Sequence, residues 1–553
     1  MKEISDLYPS QDGNKNKREE IINLMNHLLS NMDQMKNEHS PLLNSKEKDR
    51  HPNYYEQITN DTVIPNIGED YSTIVKEMTH LLDGHPYPNK NFFGNVVTTP
   101  SIASLIGTLT MCLSNGNSIW DAYGTAAAEA EIKVTAMLSE LVGYNRQESL
   151  GYSTWGGQGA VFSSLRMAIA RHAPNYKEEG IPNNLYCFAS ELSHYSLLRS
   201  IEATGIGTNH LMKVKVNEDH SMNIDDLSEK IEKVIQKGGT PLYIAATTGT
   251  TDTFGIDHMK EVKETCIHLE NKYAIDPIFI HADSAMGGFY AFFNNYDFNN
   301  NPLAFSNDTL DALITIQDRL QHLHLADSVC FDFHKLGQTP YVNSFLLAKD
   351  KKDVSRLSIS KEDSPYIGDR SYGNYHTSYT FECSRSGSSI VMYATLLEFG
   401  IEGYQKLLGH FLDFNLKLRS RLTSIFPNLA ITNKFSPGPI TTFRIYQGSE
   451  NWDLERKGLL TEGEINQTND LNKKIFEYMG EVRDKILWGD TSKVCYAEAK
   501  DTGCLVPIAS TKLFITSPFT TTDEIDTIVF ELEQILKKAR KHSEAEKGDY
   551  VLV

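Results

Sequence analysis

Two apolar runs of strand length, with one amphipathic stretch between them, constrain what the middle of this chain can become. Leu242-Tyr243-Ile244-Ala245-Ala246 and Pro277 to His281 are short and bounded like strands. Between them, from Asp257 to Tyr273, the apolar residues Met259, Val262, Cys266, Ile267 and Leu269 fall on the inner side of a helix. Strand, helix and strand with short links form the repeating unit of a parallel sheet, whose ligands gather at the carboxyl ends of the strands. Thr247-Thr248-Gly249-Thr250-Thr251 follows the first strand and Asp283 the second, so both should face one pocket.

The flanks extend the same pattern. Ile224, Leu227, Ile231, Val234 and Ile235 recur at helical spacing and stop at Gly238-Gly239. Leu185 to Ala189, Ser328 to Phe331 and Val342 to Ala348 read as further strands, and the second delivers Asp332, His334 and Lys335 to the pocket. In Tyr152-Ser153-Thr154-Trp155-Gly156-Gly157-Gln158-Gly159-Ala160 a turn of small residues leads into a helix from Val161 to Arg171. Glycines at such a start let backbone N–H groups approach an anion that the helix dipole also favours. Between Phe292 and Leu325 the polar stretch Asn294 to Asn301, followed by helical-looking residues, reads as a surface excursion before Ser328. Upstream, Ile21 to Leu29, Leu105 to Leu113 and Ala126 to Leu141 fit helices. Downstream, Tyr404 to Leu422 is amphipathic, Thr441 to Tyr446 and Leu513 to Thr516 are strands, and Thr520 to Glu524 caps a last helix.

Asp283 ends a buried strand and Lys335 sits in a His-Lys pair, two of the groups that pyridoxal phosphate chemistry requires. An acid there would keep the pyridine nitrogen protonated, and the lysine would form the Schiff base. Together with these, Ser193-His194-Tyr195-Ser196, Thr247 to Thr251 and Glu382-Cys383-Ser384-Arg385-Ser386-Gly387 occur in the order found in the pyridoxal-phosphate-dependent group II amino acid decarboxylases. The chain resembles that family from about Thr73 to Leu536.

The resemblance implies an α/β protein of the aspartate aminotransferase-like fold type I. A large domain with a mostly parallel seven-stranded sheet would be followed by a small α/β C-terminal domain. Residues 1–90 would wrap a dimer partner, 91–395 bind pyridoxal 5'-phosphate and 396–553 form the small domain. Lys335, Asp283 and His194 are the expected catalytic residues, with His194 stacked on the pyridine face. Gly157, Gln158, Ser328 and His334 would reach the phosphate, and Thr250 and Ala285 would complete the cofactor site. His85 and Phe93, in Asp83-Gly84-His85-Pro86 and Asn91-Phe92-Phe93-Gly94-Asn95, would lie on the substrate side. Tyr366, with Tyr372 and Tyr375 as competitors, is the expected donor of the proton that replaces the lost carboxylate. Where the family usually has Ser-Gly-Gly-Thr, this chain has Trp155-Gly156-Gly157-Gln158, which keeps the backbone cradle and removes a hydroxyl.

Asp332-Phe333-His334-Lys335-Leu336-Gly337-Gln338-Thr339-Pro340-Tyr341 is similar to a stretch of bacterial tyrosine decarboxylases. The expected function is therefore decarboxylation of an L-amino acid to its amine, with an aromatic substrate first. An acidic one such as glutamate, or a carbon-carbon cleavage similar to that of sphingosine phosphate lyase, is the alternative. A net charge of -19 argues against nucleic acid and anionic membranes as partners. Seven scattered cysteines without CxxC or metal-ligand spacing imply reduced thiols and no metal. With no signal-like N-terminus and no membrane-length apolar run, the expected setting is cytoplasmic.

Overall fold

The structure is a computed structural model and describes residues 3–9, 12–46, 51–360, 362–364 and 371–548. The chain divides into two units, one of Met1–Phe93, Lys474–Trp488 and Phe519–Val553, the other of Gly94–Lys473 and Gly489–Pro518.

At the centre of the second unit lies a seven-stranded sheet of β1 (Leu150–Thr154), β2 (Leu185–Ser190), β3 (Leu211–Val214), β4 (Thr240–Thr247), β5 (Phe279–Asp283), β6 (Ser328–Asp332) and β7 (Ser344–Ala348). The strand order is β1-β7-β6-β5-β4-β2-β3, with β2 to β6 parallel and β7 antiparallel to both its neighbours. Residues of β5, β6 and β7 are buried throughout, so these strands read as continuous apolar runs rather than alternating ones. The helix Gly157–His172 buries Val161, Leu165, Met167 and Ile169 against the sheet's core. Each such side chain contributes about 1.5–3 kcal/mol of transfer free energy.

The two apolar runs expected to flank a helix are in register: β4 runs beside β5 with Thr247 opposite Asp283, linked through the helix Met259–Tyr273. That places the Thr247 to Thr251 loop and Asp283 at the same edge. Backbone meets backbone there, for a Cβ on Gly287 would lie 2.0 Å from the Thr248 carbonyl oxygen.

The stretch from Asn294 to Ser306 is at the surface, as expected, apart from the buried Tyr296, but it is framed by buried structure on both sides. Phe289, Tyr290 and Phe293 form a buried 3-10 turn over Gly288–Phe293, and the helix Asn307–Leu320 buries Leu313, Ile316 and Leu320. Asp297, Asn299 and Asn300 stay exposed, turned back by hydrogen bonds to the Asp297 carboxylate. The polar run hid aromatic residues on either side of it.

Ser388–Ile425 is a long helix interrupted at Gly400, whose φ of 56 is open to glycine. Beyond it β8 (Leu429–Ile431), β9 (Ile440–Ile445), β10 (Gly489–Thr491) and β13 (Ser510–Phe514) form an antiparallel sheet in the order β10-β13-β9-β8, while β11 (Tyr496–Glu498) and β12 (Leu505–Pro507) pair separately. Arg444 of β9 is fully buried and paired with Glu455 at 2.7 Å.

In the first unit, the helices Lys15–Met35 and Tyr71–Leu81 are tied by Asn31 donating to Thr79 at 3.2 Å, and Leu42, Phe92 and Leu487 pack together. Its last helix, Asp523–Gly548, carries the expected cap: Thr521 N–H and Oγ1 both donate to the Glu524 carboxylate. Among the described residues no helix is long and apolar enough to cross a membrane.

Candidate active site

A cavity of about 410 Å³ opens at the carboxyl ends of β4, β5 and β6, lined by Gly157, Gln158, His194, Thr247, Asp283, Ala285, Asp332, His334 and Lys335. A second, of about 530 Å³, shares His194, Tyr195, Thr251, Lys335 and Tyr341 with it and extends to Asn95, Thr250, Asp252, Lys493 and Lys512. They form an inner and an outer lobe of one site, with Lys335 and His194 between.

Lys335 follows β6 on a tight turn in which its N–H bonds to the Asp332 carbonyl. Its Nζ lies 2.8 Å from Asp332 Oδ2. Burial draws the ammonium down, but the Asp332 carboxylate outweighs it and Asp283 adds to it, so the Lys335 pKa is raised. Burial on its own would lower it. Asp332, an acid with no role assigned from sequence, reverses the sign.

Asp283 is the last residue of β5, and its carbonyl accepts from Thr248 N–H. Oδ1 accepts weak bonds from Ala285 N–H and Cys330 Sγ, both at 3.4 Å, and the carboxylate lines the inner lobe. His194 accepts from Ser196 N–H at Nδ1, which requires that nitrogen to be unprotonated. Burial lowers its pKa against the pull of Asp283, so a neutral ring faces the cavity. His334 lines the same lobe, with Nδ1 2.9 Å from the Asn343 carbonyl and its pKa lowered by burial.

Gly157 begins the helix Gly157–His172. A Cβ built there would stand 3.0 Å from both Asp332 oxygens, so only glycine leaves this corner open. The Gln158 side chain turns away, donating to the Ser196 carbonyl and to Ser200 Oγ, and leaves its backbone N–H for an anion. Thr250 lines the outer lobe, but its hydroxyl bonds Thr253 and accepts from Gly255 N–H.

Ser328 is a correction. It starts β6, at the strand end opposite Asp332, and its hydroxyl is 2.8 Å from His281 Nδ1. In a parallel strand the amino end points away from the ligand edge, so Ser328 does not reach this cavity. His85 and Phe93 belong to the first unit, where His85 is exposed and Phe93 is buried with its N–H on the Leu487 carbonyl. Tyr366 lies outside the described residues. Of its competitors, Tyr372 stacks on Trp120, and Tyr375 donates to Glu131. Arg385 is buried in an ion pair with Glu131 and bonds Ser153 and Thr377, a brace for β1.

Lys493 and Lys512 were not legible as site residues, because they arrive from β10–β13 with no motif around them. Lys512 is buried and 2.6 Å from Asp252, while Lys493 donates to the Glu191 carbonyl at 3.1 Å.

The donor set fits pyridoxal phosphate. One amine opens on both lobes, a carboxylate stands at a neighbouring strand end, a neutral imidazole lies across the cavity, and a helix begins with glycine at its edge. The comparisons point the same way. A family model described as the pyridoxal-dependent decarboxylase conserved domain matches residues 52–436. The chain is 26% identical over 285 residues to an acidic amino acid decarboxylase of Mus musculus, covering 50% of this chain and 46% of that protein. It is 24% identical over 357 residues to an L-aspartate decarboxylase of Metarhizium robertsii, covering 64% of each. The chain thus spans about half the length of the first curated relatives it matches, 46% of each. The glutamate decarboxylase domain of a Vibrio parahaemolyticus protein shares the fold with a TM-score of 0.73 at 17% identity, over 96% of this chain and 98% of that one. A Catharanthus roseus tryptophan decarboxylase does so at 0.73 and 16%, over 96% and 100%. With the model covering well over half of its length, this chain belongs to the pyridoxal-dependent decarboxylase family.

Proposed function

We propose that the protein decarboxylates an L-amino acid to the corresponding amine and carbon dioxide, with Lys335 holding pyridoxal 5'-phosphate. The observation that carries this reading is the meeting of Lys335, Asp283 and His194 on one cavity. The cofactor supplies an electron sink for the bond broken at the substrate's Cα. Asp283, as a carboxylate, keeps a proton on the ring nitrogen by charge, and its place at a strand end fixes that charge before reaction. The neutral His194 ring offers a flat face for stacking. Gly157 and Gln158 offer backbone N–H groups at a helix start to the phosphate. Carbon dioxide release measured across the L-amino acids tests the reading. At least one should yield equimolar amine, and release from none would reject it.

The outer lobe favours an acidic substrate over the aromatic one first expected. Lys493 and Lys512 place two ammonium groups there, Lys512 paired with Asp252 and Lys493 donating to the Glu191 carbonyl without a carboxylate partner among the ion pairs of the described residues, and the relatives' names are those of acidic amino acid and aspartate decarboxylases. A charge-assisted hydrogen bond is worth about 1.5–3 kcal/mol. Lys493→Met should therefore raise KM for an acidic substrate by at least about tenfold while leaving kcat within about twofold. Unchanged KM in that variant, or faster turnover of an aromatic amino acid by the unmodified protein, would return the substrate to the aromatic class.

A homodimer is the assembly this reading carries. The helix Ile102–Ser114 leaves Ile102, Leu105, Ile106 and Leu113 more than half exposed, an apolar face that a second copy would cover. Sedimentation should give twice the chain mass, and an active monomer would reject the dimer. The seven cysteines are all free, which suits the reducing cytoplasm.

A further inference from the structure

Asp332 is an anion where the site needs to receive one. Its carboxylate is buried, with Oδ2 2.8 Å from Lys335 Nζ and 3.6 Å from His334 Nε2, and Oδ1 accepting from Ser344 Oγ on β7. Both oxygens lie against Gly157, at the start of the helix whose first N–H groups are proposed for the phosphate. The groups facing it are Lys335 and His334 on its own turn, Ser344 on β7 and Gly157 at the helix start. His194, Tyr341 and Cys330 act at longer range. Of these only Lys335 is a cation in the free protein, since burial lowers the pKa of both histidines. Burial alone would raise the Asp332 acid, but the Lys335 ammonium, with the Ser344 hydroxyl, holds it below the ordinary carboxylate range.

We propose that Asp332 couples binding of the cofactor's phosphate to uptake of one proton, so that the phosphate settles against a neutral carboxylic acid in place of a carboxylate. The proposal rests on the cofactor reading above. Two anions at one helix start repel in a buried setting, and the ammonium that offsets the carboxylate is the group that must turn to the cofactor's aldehyde. When Asp332 gains a proton, one O–H bond forms, the repulsion ends and the acid becomes a donor to a phosphate oxygen.

The test compares pyridoxal phosphate with pyridoxal, which can bond Lys335 but carries no phosphate. The full-length chain, freed of cofactor, is titrated with each from about pH 7 to pH 9, where the phosphate, with a second pKa of about 6, remains a dianion. Proton changes at Lys335 and the ring are common to both ligands and cancel in the ratio of their affinities. That ratio should fall by up to about tenfold per pH unit in the unmodified protein, the slope of one proton taken up. In Asp332→Asn it should be flat and at least about tenfold higher at pH 8. A flat ratio in the unmodified protein overturns the proposal, and so does an Asp332→Asn ratio that falls as steeply. Should that variant not fold, Asp332→Ser takes its place, because only a variant separates a proton held by Asp332 from one held by the bound phosphate. Binding of neither ligand would overturn the cofactor reading together with this one, whereas a failure of this proposal alone leaves both ligands bound.

Discussion

Lys335→Ala is expected to release carbon dioxide at least about 10³-fold more slowly than the unmodified protein, and to lose the absorbance band of covalently held cofactor. The size follows from geometry. Among the described residues Lys335 is the one amine that borders both lobes, held on a turn after β6. Lys493 and Lys512 belong to the outer lobe alone, so no other amine in the lining can replace it. Alanine strips the buried Asp332 carboxylate of its ammonium, so a moderate loss of stability is expected beside the loss of chemistry. It leaves Asp332 still accepting from Ser344. A melting temperature that stays well above that of the assay would separate lost chemistry from lost fold. Turnover within tenfold of the unmodified rate would remove Lys335 from its assigned place.

Asp283→Asn comes second, with an expected loss of roughly 10²–10³-fold in kcat. The amide is isosteric and can still meet Ala285 N–H, so β5 and its pairing with Thr247 should persist. What disappears is the negative charge that keeps a proton on the ring nitrogen, and no other carboxylate ends β5 to supply it. Asp332 lies one strand away on β6 and is already paired with Lys335. Single-turnover carbon dioxide release is the measurement that isolates this step from binding. An Asp283→Asn rate within threefold of the unmodified protein would make the carboxylate structural.

How much of this could be read from sequence depended on whether the chemistry and the fold signal coincided. They coincide at β4 and β5, where apolar runs of strand length end in Thr247 and Asp283, so the edge that collects the site is legible from the residues alone. They coincide again at Ser328 to Lys335, and the strand was right while Ser328 was not. Treating the residues of β6 as one group ignored that its two ends point to opposite edges of the sheet. Lys493 and Lys512 stayed hidden because their strands are short and lie more than 150 residues beyond Lys335, joined to it only by tertiary structure. The asparagines after Phe292 keep to the surface as their polarity suggests, while the buried aromatic turn before them and the apolar face of the helix after them fix where the stretch packs. Asp332 was in plain view three residues before Lys335. Its effect on the lysine depends on a 2.8 Å contact that composition cannot supply.

The central claim is that Lys335, and not another lysine, carries the cofactor. Incubating the protein with pyridoxal 5'-phosphate, reducing with borohydride and mapping the labelled peptide by mass spectrometry tests it most directly. The label is expected on Lys335, at one cofactor per chain. A label on Lys493, on Lys512 or on any other lysine, with Lys335 unmodified, would contradict it.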